Sequence, residues 1–159
     1  MIVNIRYATM ADLDDIASVE SVCFPVLEAA TKEEFEQRIK YFGNHFWLMF
    51  DEANLTDEMY ENASMHNENG AWQMIFGVNT LPEYRRCGYA KELIKKAILD
   101  AREQNRRGLV LTCKESLVPY YSKFGFIDEG ITDKSTHGNV LWHQMRLDFE
   151  LRNNGVKQI

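Results

Sequence analysis

The sequence predicts a single α/β or α+β domain built around a mixed sheet. Short apolar runs and amphipathic segments follow one another in the order β-α-α-β, a gap, and then β-α-β-α-β-β. The run Trp72 to Thr80 is mostly apolar and does not alternate with polar residues, which is typical of a central strand covered on both faces. At 159 residues with 45% hydrophobic side chains, the chain has the size and composition of one ordinary globular domain.

The first half of the chain predicts a strand, two helices and a second strand. Residues 3–8 alternate apolar and polar side chains as a half-buried strand does. Thr9 and Thr31 each stand where a helix cap is needed, and Thr31 forms a capping-box pattern with Glu34. The aromatic, apolar run at 45–50 predicts the next strand.

The second half of the chain contains the clearest helix, at Tyr89 to Glu103, where apolar side chains recur at helical spacing. A buried strand at 109–113 follows it. Residues 117–124 suit a short helix that Gly125 closes. The remaining two strands are expected at 126–131 and 140–149.

Between these halves lies a polar, Asn-rich segment, residues 51–71, in which no strand can be identified. Residues 56–63 could form a short helix. Because a loop of this length is uncommon inside a compact domain, the segment is expected to be functional or to replace a regular element.

Composition excludes several classes of protein. A net charge of −6 without a dense basic stripe argues against nucleic-acid binding. No apolar run is long enough to cross a membrane, and the first residues do not resemble a signal peptide. Three cysteines without a CxxC pair indicate free thiols in a reducing compartment. We therefore expect a cytoplasmic monomer or homodimer without a metal.

The stretch from Val78 to Ala90 carries the strongest chemical signal. It passes from a strand through a basic, glycine-containing loop into a helix. This order brings together unpaired backbone N–H groups, the positive end of a helix dipole and the side chains of Arg85 and Arg86. The small residues Gly88 and Ala90 allow close backbone approach. The pattern predicts a phosphate site, although a simple glycine turn with solvated arginines would have the same sequence.

Two motifs together resemble the GCN5-related N-acetyltransferase (GNAT) family. Residues 85–90, Arg-Arg-Cys-Gly-Tyr-Ala, are similar to the family's acyl-CoA loop, Q/R-x-x-G-x-G/A. The pairs Tyr120-Tyr121 and Gly125-Phe126 are similar to its later signature, one helix and one strand further on. The resemblance extends over 5–149 and implies a GNAT-like domain with a largely antiparallel mixed sheet flanked by helices. Its nearest branch is the arylalkylamine acetyltransferase-like one.

The sequence also departs from the family's pattern. The family places another strand after the one at 45–50, and no room exists for it between Phe50 and Leu55. Either the polar segment replaces that strand or residues are missing there. The paired histidines of arylalkylamine enzymes are absent, since the matching stretch is 72–76, Trp-Gln-Met-Ile-Phe.

The resemblance implies acetyl-CoA as co-substrate of a single acyltransferase domain, residues 1–159. The phosphates would lie on Arg85, Arg86, Cys87, Gly88, Tyr89 and Ala90. The pantetheine amides would pair with the strand edge at Phe76, Gly77 and Val78.

For the transfer step, Tyr121 resembles the family's general acid. A phenol is protonated at neutral pH, so it can donate a proton to a departing thiolate. An amine would attack the thioester directly, through a tetrahedral intermediate. The base is open between His66, in the polar segment, and Glu28. Glu28 or Glu20 could instead bind an ammonium group.

The expected amine pocket is aromatic, which favours a small amine with an apolar or aryl body, such as an arylalkylamine or a polyamine. Its residues are Phe24, Pro25, Leu27, Tyr60 and Trp142. Two alternatives stay open. One is acetylation of a protein N-terminus or lysine, and the other is a catalytically silent acyl-CoA-binding regulatory module.

Overall fold

The computed structural model describes residues 6–43, 48–50, 62, 65 and 67–150. This part of the chain contains five strands and four α-helices. The strands are β1 (Leu48–Phe50), β2 (Trp72–Ile75), β3 (Gly108–Cys113), β4 (Ile127–Thr132) and β5 (Trp142–Asp148). The helices are α1 (Leu13–Cys23), α2 (Lys32–Phe42), α3 (Tyr89–Glu103) and α4 (Val118–Ser122). No helix in these residues is both long enough and apolar enough to cross a membrane.

The strands form one sheet in the order β1-β2-β3-β5-β4. Only β2 and β3 are parallel, and the other three neighbouring pairs are antiparallel. Helix α3 connects the parallel pair, as a crossover connection requires. The sheet is therefore mixed and largely antiparallel, which confirms the predicted fold class.

Strand β1 pairs directly with β2, with Phe50 opposite Trp72 and Leu48 opposite Met74. The neighbour of β2 is therefore the 48–50 run itself, and residues 51–61, on which the expectation of a missing or replaced strand depends, lie outside the described residues. The expected helix at 56–63 falls mostly outside the described residues. So does most of the expected strand at 3–8, of which residues 6–8 belong to no strand.

A local capping signal starts α2 where the sequence predicts it. Thr31 Oγ1 accepts a hydrogen bond from the Glu34 N–H at 3.2 Å, and Glu34 Oε2 accepts one from the Thr31 N–H at 2.6 Å. This reciprocal pair starts α2. Gly125 takes a left-handed φ of 93° just after α4, where a side chain would be strained.

The core lies between α3 and the sheet. The α3 residues Ile94, Ala97 and Ala101 are almost fully buried against the middle strands. The sheet residues of this cluster include Leu109, Leu111, Met145 and Leu147. A second, smaller cluster of Leu13, Phe35 and Ile39 joins α1 to α2.

Strand β2 ends at Ile75, so the prediction that it continues to Thr80 is wrong. The last pair of the parallel ladder is Ile75 with Leu111. Beyond it, β3 continues to Cys113 on its other side, paired with β5. The chain after Ile75 is not paired with β3 although β3 continues for two more residues, so a gap opens in the sheet between them.

Gly108 is expected to be intolerant of any side chain. A Cβ there would overlap the backbone oxygen of Leu147 and lie 2.8 Å from Cζ3 of Trp72. Gly108→Ala should therefore lower the free energy of unfolding by about 2–4 kcal/mol, measured by chemical denaturation. Gly77→Ala is the matched control, because its nearest neighbour would be 3.8 Å away. Equal losses in the two variants would contradict this account of packing.

Candidate active site

A cavity of about 430 Å³ opens where β2 and β3 separate. Its walls come from α1, the link between α1 and α2, α2, the chain after β2, the end of β3, α4 and the start of β5. The predicted site residues that it brings together are Phe24, Leu27, Glu28, Phe76, Gly77, Val78, Tyr121 and Trp142. Residues assigned to the acyl donor and to the acceptor thus share one cavity.

The predicted phosphate loop, residues 85–90, does not line this cavity, and three residues predicted for the acceptor pocket or as the base also stand apart from the group. Pro25 is not part of the cavity wall, but its carbonyl accepts hydrogen bonds from the N–H groups of Glu28 and Ala29, at 2.8 and 2.9 Å. This turn brings Glu28 and Ala29 to the cavity. His66 and Tyr60 lie outside the described residues.

The loop before α3 has an unusual backbone. Gly88 has φ of 90° and forms the N-cap of α3, and Arg86 also has a positive φ, 63°. A positive φ is uncommon for a residue with a side chain and costs of order 1–3 kcal/mol. Arg85 Nε donates to the carbonyl of Thr80 at 3.0 Å, which fixes the loop against the chain leaving β2.

The geometry of this loop is that of a phosphate-binding site. The first hydrogen bond within α3 runs from the Glu92 N–H to Gly88 O, so the earlier amides of the first turn precede the helical ladder. No atom lies within 4 Å of where a Gly88 Cβ would stand. The start of a fifteen-residue helix therefore faces open space beside two exposed arginines, Arg85 and Arg86.

Tyr121 is fixed in the cavity wall by neighbouring rings. It is 8% exposed, and its ring meets those of Tyr120 and Phe126 edge-on, at centroid distances of 5.4 and 6.1 Å. Burial raises the pKa of Tyr120, which packs on Phe124 outside the cavity. Of the two adjacent tyrosines, only Tyr121 lines the cavity.

Cys113 also lines the cavity, two per cent exposed, at the end of β3. Burial, with a smaller contribution from Asp128, raises the pKa of its thiol to about 12. A thiol of this kind is protonated at neutral pH, and only the thiolate is an effective nucleophile. The arrangement therefore favours direct transfer over an acylated cysteine.

Glu28 is engaged with Lys114. The Lys114 ammonium lies 3.0 Å from Oε1 and 2.9 Å from Oε2 of this carboxylate, whose side chain is 5% exposed. The backbone at Gly138 closes over it, because a Cβ there would overlap Glu28 Cγ. Glu28 thus joins the α1–α2 link to the end of β3 and to the β4–β5 loop.

Glu20 is a second buried carboxylate in the wall. One of its oxygens accepts a hydrogen bond from the Ala30 N–H at 3.0 Å, and the other accepts one from the Asn79 side-chain amide. Both bonds are accepted by the carboxylate, which has capacity for about four. The Asn79 contact places Glu20 beside the chain that leaves β2.

Arg38 is a wall residue that the sequence analysis did not predict. Its guanidinium carbon lies 5.2 Å from the ring centroid of Phe35 and 5.7 Å from that of Phe76. Arg38 follows Phe35 by one helical turn and precedes Ile39, so it shares their buried face. An arginine within an apolar i, i+3, i+4 pattern is the one signal that could have revealed it.

A gap in a sheet beside a glycine-containing loop at a helix start suits an acyl-CoA-binding acyltransferase, with the thioester in the gap and the phosphates on the loop. The family model described as "Acetyltransferase (GNAT) domain" matches residues 4–127. The chain therefore belongs to the GNAT family, and it is an acetyl-CoA-dependent N-acetyltransferase. Acetyl-CoA is the co-substrate. No group of metal-binding side chains occurs within the described ranges.

Solved structures share the fold at low sequence identity. The loading GNATL domain of CurA from Lyngbya majuscula has a TM-score of 0.78 and 16% identity, over 94% of this chain and 98% of that one. The GphF GNAT-like decarboxylase in complex with isobutyryl-CoA has a TM-score of 0.71 and 16% identity, over 92% of this chain and 99% of that one. The ribosomal-protein-S18-alanine N-acetyltransferase from Escherichia coli has a TM-score of 0.62 and 17% identity, over 89% of this chain and 90% of that one.

These likenesses show the fold and leave the acceptor open. The similar proteins are described in different terms, as a loading domain, a decarboxylase and a ribosomal-protein acetyltransferase. A comparison with curated proteins finds no match. The arylalkylamine-like branch stays a prediction.

Proposed function

We propose that this protein transfers an acetyl group from acetyl-CoA to a small primary amine bound between α1, α2 and the end of β2. The observation that most supports this proposal is the buried carboxylate of Glu20 in the wall of the cavity. The cavity volume of about 430 Å³ is typical of small-molecule sites. The surrounding walls are aromatic, with Phe24, Phe35 and Trp142. An ammonium group beside an apolar body complements such a site.

Glu20 would bind the incoming ammonium group and take its proton, because the amine must be neutral to attack the thioester carbonyl. Its two hydrogen bonds hold the carboxylate in place and leave it able to accept a bond from the ligand. Glu28, engaged by Lys114, would hold the α1–α2 link over the cavity. His66 stays the other candidate for the base.

Tyr121 would donate its phenolic proton to the departing CoA sulfur. Acetyl-CoA supplies the activated acyl group, and the chain contributes the rest. We expect Arg85 to Ala90 to hold the phosphates and residues 76–78 to align the pantetheine. A backbone N–H near Phe76 would stabilise the carbonyl oxygen as it gains charge.

A peptide acceptor is the second candidate, and one observation favours it. Val26 and Leu27, in the α1–α2 link beside the cavity, are 93% and 74% exposed, and Val22 is 54% exposed. Exposed apolar side chains at the entrance of a site can bind a protein segment. In that case the acetylated group would be a terminal or lysine amine.

The acceptor is identified by incubating the protein with acetyl-CoA and either small primary amines or peptides, and following release of the CoA thiol. We expect turnover with small amines. Glu20→Gln should lower kcat/KM by about 10²-fold, the usual contribution of a positioned acid or base. Glu33→Gln, an exposed glutamate on α2, is the matched control. Turnover with peptides alone, or equal activity of the two variants, would contradict the proposal.

A further inference from the structure

We propose that Asn79 makes the enzyme selective for primary amines, because its side-chain oxygen accepts a hydrogen bond from one of the two N–H groups of the attacking amine. The inference rests on the proposed function, since it assumes that a small amine occupies the cavity beside Glu20. It adds a specificity residue that belongs to neither of the two family motifs.

The first argument is the orientation of the Asn79 amide. Its Nδ2 donates a hydrogen bond to Oε2 of Glu20. Because a carboxylate accepts hydrogen bonds and cannot donate them, the nitrogen is the atom of the amide that must face Glu20. The oxygen, Oδ1, is therefore directed away from the carboxylate.

The second argument is the burial of this oxygen. Asn79 lines the cavity, and its Oδ1 is buried and accepts no hydrogen bond within the described part of the chain. An amide oxygen has capacity for two hydrogen bonds, and it is costly to bury one that accepts none. A binding or catalytic role is one reason why such an atom persists in a native protein. An N–H donor on a bound ligand would satisfy it.

The third argument is the position of the oxygen relative to the expected acyl donor. A Cβ built on Gly77 would lie 3.8 Å from Asn79 Oδ1. Gly77 belongs to the segment at 76–78 that we expect beside the pantetheine. The Asn79 amide thus reaches from the carboxylate that would receive the amine to the segment expected near the thioester.

These two acceptors would orient the attacking amine. After Glu20 takes one proton from the ammonium group, the neutral primary amine has two N–H groups and one lone pair. Glu20 and Asn79 Oδ1 can each accept one N–H group, which leaves the lone pair to form the bond to the thioester carbon. As the C–S bond breaks, the sulfur takes the proton of Tyr121. The nitrogen then releases one proton to restore the phenol, and Glu20 returns its proton to solvent.

A neutral secondary amine has a single N–H group, so one of the two acceptors would be left without a donor. The cost of an unpaired buried acceptor should therefore appear as a preference for primary amines.

Pantetheine introduces an alternative, because its amide N–H groups are also expected near Gly77. One of them could bond to Asn79 Oδ1 instead of the amine. We assign the oxygen to the acceptor because the same amide is held by Glu20, on the acceptor side of the cavity. The CoA affinity of the variants distinguishes the two donors.

The test compares primary amines with their N-methyl derivatives at saturating acetyl-CoA, phenethylamine with N-methylphenethylamine and butylamine with N-methylbutylamine. We expect wild-type kcat/KM to favour the primary amine by roughly tenfold to a hundredfold. Asn79→Leu, which keeps a side chain of similar size without the acceptor, should bring this ratio close to unity. Gln37→Leu, which removes an exposed amide on α2 outside the cavity wall, should leave the ratio unchanged.

The ratio separates this role from a purely structural one. If Asn79 only positioned Glu20, Asn79→Leu would slow both amines equally and keep the wild-type ratio, which would overturn the inference. A wild type that does not favour the primary amines would also overturn it. So would a loss of CoA affinity in Asn79→Leu, measured by calorimetry, with the ratio intact.

Asn79→Ala tests whether size alone excludes the methyl group. Both Asn79→Ala and Asn79→Leu lack the acceptor, so both should lose the preference for primary amines. Loss of the preference in Asn79→Ala alone would indicate exclusion by size and would contradict the proposal. If no small amine is acetylated, the proposed function itself fails, whereas turnover with an unchanged ratio removes only the role of Asn79.

Discussion

Replacing Tyr121 with phenylalanine should lower kcat by about 10²–10⁴-fold at neutral pH, the usual contribution of a positioned acid. The hydroxyl is the only group removed. The ring should keep its edge contacts with Tyr120 and Phe126, which hold it in the cavity wall. Because phosphate and pantetheine contacts are expected elsewhere, CoA affinity should fall by no more than roughly tenfold, the contribution of one hydrogen bond to the sulfur. Steady-state kinetics and calorimetry measure the two quantities.

The adjacent tyrosine supplies the control. Tyr120 lies on the same short helix and packs against Tyr121 and Phe124, but it does not line the cavity. Tyr120→Phe should therefore leave kcat within about a factor of two or three, the scale of a surface or packing adjustment. Full activity of Tyr121→Phe, or comparable losses in the two variants, would remove the acid assignment.

Gly88→Ala should weaken CoA binding by roughly tenfold or more, because the new methyl group and the strained backbone both disturb the amides that receive the pyrophosphate. The φ of Gly88 is 90°, which an alanine adopts only at a cost of about 1–2 kcal/mol. That cost should also appear in the free energy of unfolding. Isothermal titration with CoA and chemical denaturation separate the two effects.

Gly130→Ala is the matched control for Gly88→Ala. Its φ is 92°, and nothing lies within 4 Å of where its Cβ would stand, as at Gly88. It belongs to β4, at the edge of the sheet and outside the cavity wall. Gly130→Ala should therefore lose similar stability and keep its CoA affinity. If the two variants bound CoA alike, the Gly88 loop would not be the phosphate site.

Local signals made much of the fold predictable. The bounds of α3, Tyr89 to Glu103, follow from apolar spacing, and α2 follows from the Thr31–Glu34 capping box. The end of β2 was not predictable in this way. It depends on how far the ladder between β2 and β3 extends, and the pairing of two segments that are distant in sequence leaves no mark in the 72–80 run itself.

The site residues also differ in whether local sequence signals could predict them. The loop at 85–90 and Tyr121 belong to contiguous motifs, so the sequence alone indicated them. The ion pair of Glu28 with Lys114 joins residues 86 positions apart, and only the folded chain brings them together. The position of Arg38 in the cavity wall could not be predicted, because a long cationic side chain on a helix usually extends to solvent, as Lys40 does.

The central claim is that acetyl-CoA occupies the gap between β2 and β3, and a crystal structure of the CoA complex tests it most directly. We predict the pyrophosphate on the amides between Arg85 and Ala90, the pantetheine beside residues 76–78, and the sulfur within hydrogen-bonding distance of the Tyr121 hydroxyl. CoA bound on another face of the sheet, or with its sulfur away from Tyr121, would contradict the account.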